Sequence, residues 1–283
     1  MSGDAFTFLN EKELVELRVK YLNDIGDCFL VVEAAHTHTG KEKKWNFPEV
    51  LNSRLKNYSN KIKYHQMKVD LEKAEAEKDP RYKSLKGPLA NAGRSWKVEN
   101  MQRNFIKDCY KNLTTSKDDI IIISDLDEIP SKEKISFIKS SDFKVIAPVA
   151  FAQSLFYLNC NYLDLEQWIG SVAITGQLIE KYEPLTFRDY KNRISRFSDD
   201  GWIFSSFGGT KRIIEKLEAF GHVEYNLEEY KDEIHIKKCI QTGGDLFNRK
   251  VKKKRVDKNF FPKDLLNLME ENSTFFFGSN TTI

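Results

Sequence analysis

Four consecutive isoleucines, Ile120 to Ile123, run directly into Ser-Asp-Leu-Asp-Glu-Ile-Pro at 124–130. A continuous apolar run of this length, closed by a proline, reads as a β-strand buried on both faces. Such strands belong to largely parallel sheets with helices on either side. In open α/β sheets ligands gather at the carboxyl ends of the strands, so the acidic cluster stands where a ligand is expected. Residues two apart in an extended segment point the same way, which lets Asp125 and Asp127 face one pocket. Two carboxylates placed like that repel each other unless a cation lies between them. Hard divalent ions such as Mg²⁺ or Mn²⁺ take oxygen ligands, commonly one or two carboxylates together with substrate phosphates. The plainer alternative is a buried strand that ends in a polar turn.

The remaining pattern agrees with an α/β class of strands alternating with helices. Residues 1–22 mix charged and apolar side chains at helical spacing and predict an N-terminal helix. The apolar run Cys28 to Ala35, interrupted only by Glu33, predicts a buried strand, followed by a polar loop containing Lys43. Ser95 is a plausible N-cap for a helix with Val98, Met101, Phe105, Ile106 and Cys109 on one face. A short helix is expected from about Ser131. Residues 143–159 read as two strands, the first broken by Pro148 and therefore near an edge or a bend. Gly208 and Gly209 precede an amphipathic helix closed by Gly221. One domain is expected over 1–250, with 251–283 a basic C-terminal extension packing on it or trailing from it.

Forty-five Lys and Arg against 42 Asp and Glu leave a net charge of +3, which gives no general footprint for nucleic acid. The basic block Arg249 to Lys258 lacks interleaved aromatic residues for base stacking and reads as a solvated surface. Peripheral contact with an anionic membrane is its minority reading. The four cysteines form no C-x-x-C pair and the histidines do not cluster, which argues against zinc and against a disulfide framework. No apolar run approaches the roughly 18 residues of a membrane span, and no signal peptide is evident, so a soluble cytoplasmic chain is expected.

Two enzyme classes use a strand that ends in Asp-x-Asp: nucleotide-sugar transferases, and haloacid-dehalogenase-like phosphatases, in which the first Asp is the nucleophile. The phosphatase pattern wants Thr or Val two residues beyond the second Asp, where this chain has Ile129. It also wants a distal acidic pair, for which Asp199 and Asp200 are the candidates, and it usually opens its domain. A sugar-nucleotide-binding module without turnover is a third reading.

"VVEAAHTHTGKEK", "SDLDEIP", "DGWIFSSFGGTKRIIEKLEAFGHVEYN" and "IQTGGDLFNR", in this order, resemble glycosyltransferase family 17 over about Phe29 to Arg249. The resemblance implies a GT-A-like nucleotide-sugar-binding fold with a mostly parallel, mixed-edge central sheet. It implies a metal-dependent, inverting transfer of GlcNAc or a related sugar from a UDP-sugar to a glycan hydroxyl. Asp125 and Asp127 would then hold Mn²⁺ or Mg²⁺, with His222 as a third ligand. Glu33, Lys43, Arg103, Glu128, Gly208 and Gly209 would contact the donor. Glu224 and Asp245 are the candidate general bases, because an inverting transfer must deprotonate the acceptor hydroxyl. Gly243 and Gly244 would let the backbone approach a sugar, and Trp202 and Phe207 would offer it an apolar face.

Overall fold

The computed structural model describes residues 1–82, 85–113, 116–272 and 274–276. Its eleven strands among these residues are β1 (Ser2–Phe8), β2 (Cys28–Ala34), β3 (Ile62–Met67), β4 (Ile120–Asp125), β5 (Glu128–Ile129), β6 (Val149–Tyr157), β7 (Tyr162–Asp164), β8 (Trp168–Thr175), β9 (Ser195–Phe197), β10 (Trp202–Ser205) and β11 (Lys253–Arg255). They form one sheet in the order β11-β7-β6-β8-β4-β1-β2-β3, with β9 and β10 also pairing with β6, and β5 with β10. The half containing β3, β2, β1 and β4 is parallel, whereas β8 runs antiparallel to both β4 and β6. This is the expected mixed-edge α/β sheet.

The isoleucines of β4 divide two cores. Ile122 packs with Phe6, Phe29 and Val31 and with the helix Lys12–Leu22 through Leu14 and Val15. Ile121 and Ile123 point the other way, toward Ala5, Leu30 and Val32 and the helix Ala92–Lys111 through Ile106 and Cys109. Alternation on a strand covered on both faces thus accounts for an unbroken apolar run. A third cluster joins the helices Gly209–Ala219 and Glu233–Thr242 through Ile213, Leu217, Ile236 and Ile240.

Two expectations are corrected. The first eight residues are not helical: Ser2–Phe8 is a strand between β2 and β4, and the helix begins at Lys12. The buried Asp4 breaks the apolar signature of that strand, for a reason that lies in the site below. Residues 143–159 are a helical turn, Phe143–Ile146, followed by the single interior strand β6. Pro148 precedes that strand instead of interrupting it, so no ladder donor is lost from its middle.

Within the basic block, Lys253–Arg255 adds β11 antiparallel to β7, and beyond it the helix Lys263–Glu270 packs on Lys12–Leu22. Residues 273 and 277–283 of the expected extension lie outside the described residues. No helix among the described residues is long and apolar enough to cross a membrane.

Candidate functional site

The turn 125–128 after β4 rests on a buried arginine. Arg18, with no exposure, donates through Nε and Nη2 to both carboxylate oxygens of Asp4, at 2.7 and 2.6 Å. Its Nη1 donates to the backbone oxygens of Asp125, Leu126 and Glu128 at 3.1, 3.0 and 2.7 Å. Carbonyls of an irregular turn need such donors when they are buried. Asp4 in the middle of β1 is the counter-charge that makes the buried guanidinium tolerable.

Above this floor each acidic side chain meets cations. Arg103, from the helix Ala92–Lys111, donates to Asp125 at 2.9 Å and pairs with Glu99 at 2.7 Å. Arg188, from the helix Pro184–Tyr190, reaches Asp125 at 2.8 Å and grips Glu128 with both Nη atoms at 2.6 and 2.9 Å. Glu128, 2% exposed, also accepts the Trp168 indole N–H at 3.2 Å and the Asp125 backbone N–H at 3.0 Å. Burial favours the protonated form of Asp125, yet Arg103 and Arg188 together hold its carboxyl far below the usual range. Asp127 goes the other way. Burial pushes it up to about 6, Lys216 opposes, and Asp125 and Glu128 add like-charge repulsion. Its side-chain contact is Lys216 at a long 3.4 Å. Burial, then the Arg188 charge, depresses Lys191 to about 8.

These groups open on a cleft of about 650 Å³ at the carboxyl ends of β1, β2 and β4. Asp125, Asp127, Glu128, Arg103, Lys43 and His222 all line it, whereas Glu33, Gly208, Gly209, Glu224 and Asp245 do not. Glu33 has no exposure: it accepts from Lys43 and the Asn46 backbone N–H (2.5 and 2.7 Å) and from the Phe47 N–H and Tyr64 hydroxyl (3.1 and 2.7 Å). It is therefore an internal anchor and not a nucleoside contact, and Lys43 is its ion-pair partner. Asp245 is held in a turn by Arg249 at 2.7 Å and by the N–H groups of Phe247 and Arg249. Burial raises its pKa, but those Arg249 hydrogen bonds prevail and keep it low, so it is poorly suited to take a proton. Glu224 bonds His222 Nδ1 at 2.7 Å and fixes that ring beside Trp96.

Gly208 and Gly209, with φ of 105° and 81°, start the helix that carries Lys216, so they serve the site through that helix. Gly243, also at positive φ, closes the helix Glu233–Thr242 against the Tyr162 ring, and Gly244 sits near Cys239. Trp202 and Phe207 are core residues, 7% and 8% exposed. Asp199 and Asp200 do not line the cleft either; Asp200 is buried and accepts from the Ser131 hydroxyl.

The donor set can be judged against a metal. Among the described residues no group of three or more His, Cys, Asp or Glu side chains is arranged to hold an ion. Asp125, Asp127 and His222 are thus not a preformed ligand cage. Asp125 and Glu128 already carry guanidinium partners, which leaves Asp127 as the carboxylate with an oxygen to offer. A hard cation that takes one carboxylate and completes its shell with phosphates and water fits such a site.

Arg18, Arg188, Lys191, Lys216 and Trp168 were missed from sequence. Only Arg18 carried a signal: it shares a helical face with Leu14 and Leu22, four residues to either side, where a lone charge is out of place.

The class that emerges is glycosyltransferase. The sequence profile of Glycosyltransferase family 17 matches residues 3–253, and the chain belongs to that family. It is 24% identical to the beta-1,4-mannosyl-glycoprotein 4-beta-N-acetylglucosaminyltransferases of Rattus norvegicus and Homo sapiens, each over 271 residues covering 85% of this chain. The alignments cover 47% and 48% of those proteins, so the chain spans about half the length of the curated relatives it matches. Among solved structures it is similar to a putative glucose-1-phosphate thymidylyltransferase from Bacillus anthracis. That likeness has a TM-score of 0.37 and 8% identity, over 71% of this chain and 87% of the other.

Proposed function

We propose that the protein transfers a sugar from a nucleoside-diphosphate sugar to a glycan hydroxyl through a GT-A-like fold, with inversion at the anomeric carbon. The observation that carries this reading is the 125–128 turn at the end of β4, opening on a 650 Å³ cleft lined by Arg103, Arg188, Lys191 and Lys216. A diphosphate leaving group develops negative charge as its bond to sugar breaks, and preorganised cations stabilise that charge. Lys191 and Lys216 are the cations least committed to carboxylates, and they suit the phosphates. Arg103 and Arg188 orient Asp125 and Glu128. Asp127 would hold Mn²⁺ or Mg²⁺, which supplies Lewis-acid neutralisation of the diphosphate. The activity in the relatives' names makes UDP-GlcNAc the first donor to try and a β-mannoside-containing glycan the first acceptor.

Arg18 keeps the turn in place, and the helix Ala92–Lys111 lines the cleft through Trp96, Glu99 and Arg103. The phosphatase alternative wants a second acidic pair at the nucleophile, and Asp199 and Asp200 stand away from the cleft. A binding module without turnover would bind the donor and release nothing. The test is UDP release from a panel of UDP-sugars with Mn²⁺ present. Release from at least one donor supports transfer, and binding without release from any donor favours the module.

A further inference from the structure

Among the described residues six carboxylates line the cleft: Glu11, Glu99, Asp125, Asp127, Glu128 and Asp189. Four of them are held by partners. Glu11 accepts the backbone N–H groups of Leu9 and Asn10 at 3.1 and 3.0 Å. Glu99 faces Arg103 at 2.7 Å and His38 at 3.3 Å; against burial, those two charges hold it down to about 2. Asp125 and Glu128 are gripped by guanidinium groups, as described above. Asp127 meets Lys216 at 3.4 Å and is the carboxylate proposed above to face the donor. Asp189 differs from all of these: it is exposed, and among the described residues its side chain makes no hydrogen bond and no ion pair. Its charge is felt by Arg81, which also lines the cleft.

Its place in the chain is specific. The preceding residue, Arg188, holds Asp125 and Glu128. Two residues on, the Lys191 ammonium lies 4.6 Å from the ring centroid of Trp168. Trp168 is 48% exposed, lines the cleft and points its N–H at Glu128. An indole edge-bonded beside the reactive cluster, with much of its surface open, is suited to the apolar face of a sugar ring.

Resting on the transferase reading above, we propose that Asp189 is the general base and that Trp168 seats the acceptor sugar beside it. The Asp189 carboxylate takes the proton of the acceptor hydroxyl while that oxygen forms its bond to the anomeric carbon. The carbon–oxygen bond to the diphosphate breaks, its electron pair leaves on the diphosphate, and protonated Asp189 returns the proton to water.

The test uses UDP-GlcNAc with water as acceptor, reading UDP release by the full chain, with thermal melting as a check of fold. Asp189→Asn is expected to lower kcat by about 10²-fold or more, the usual worth of a general base, with donor KM within about threefold. In Asp189→Ala, added formate is expected to restore part of the turnover, which a structural role would not allow. Turnover by Asp189→Asn within threefold of wild type overturns the assignment, as does a loss that formate leaves untouched or that tracks weakened donor binding. A wild-type protein that releases no UDP from any donor overturns the transferase reading instead, and this assignment with it.

Discussion

Arg188→Met removes the cation shared by Asp125 and the buried Glu128. The substitution deletes the contacts to Glu128 at 2.6 and 2.9 Å, to Asp125 at 2.8 Å and to the Gly170 oxygen at 2.7 Å. Asp125 keeps Arg103, so its loss is small. Glu128 is left 2% exposed with two N–H donors and no counter-charge. Breaking a buried pair from one side costs about 3–5 kcal/mol. For a chain of this length that is a fall in melting temperature of about 10 °C. Adding Glu128→Gln removes the stranded charge and keeps the shape, so the double variant should regain about 2 kcal/mol or more over Arg188→Met. Urea unfolding of wild type, both single variants and the double variant measures the cycle. A single-variant loss under about 1 kcal/mol, or a double variant no better than Arg188→Met, refutes the claim that Arg188 neutralises Glu128.

Two further outcomes follow from buried charges elsewhere. Arg18→Lys keeps one positive charge but cannot supply the fork that joins Asp4 to three carbonyls; urea unfolding should reveal a loss of about 2 kcal/mol, and UDP release should fall about 10²-fold as the 125–128 turn shifts. Burial raises Asp200 to about 6, opposed by the Ser131 hydroxyl, so the folded state binds that proton more tightly than the unfolded state. Stability from this group is then fully present below the unfolded value and declines as pH rises from about 4 to about 6. Asp200→Asn should abolish that decline and be about 2–3 kcal/mol more stable at neutral pH, read by thermal unfolding across pH.

What could be read in advance divides along physical lines. β4 and its carboxylates were legible because a strand buried on both faces leaves an unbroken apolar run and its end is a place, not a pattern. The helix Ala92–Lys111 was legible from its spacing, which also brought Arg103 to the cleft, although it begins three residues before Ser95, the expected cap, which is buried within it. β1 was not, because Asp4 interrupts its apolar character and finds its partner fourteen residues away in Arg18, a pairing no local rule reports. Glu33 was misread for a related reason. A carboxylate at a strand end can face a ligand or cap its own loop, and here the N–H groups of Asn46 and Phe47 had already claimed it. Arg188 and Lys216 come from distant helices whose own periodicity carries no mark of the cleft they complete.

The 125–128 turn is proposed to receive a nucleotide sugar, with Asp127 its carboxylate toward the donor. Calorimetric titration of UDP-GlcNAc in the presence of Mn²⁺ into wild type and Asp127→Asn tests it most directly. Wild type should bind saturably, and Asp127→Asn should lose about tenfold or more in affinity at an unchanged melting temperature. Equal affinity in the two proteins would contradict it.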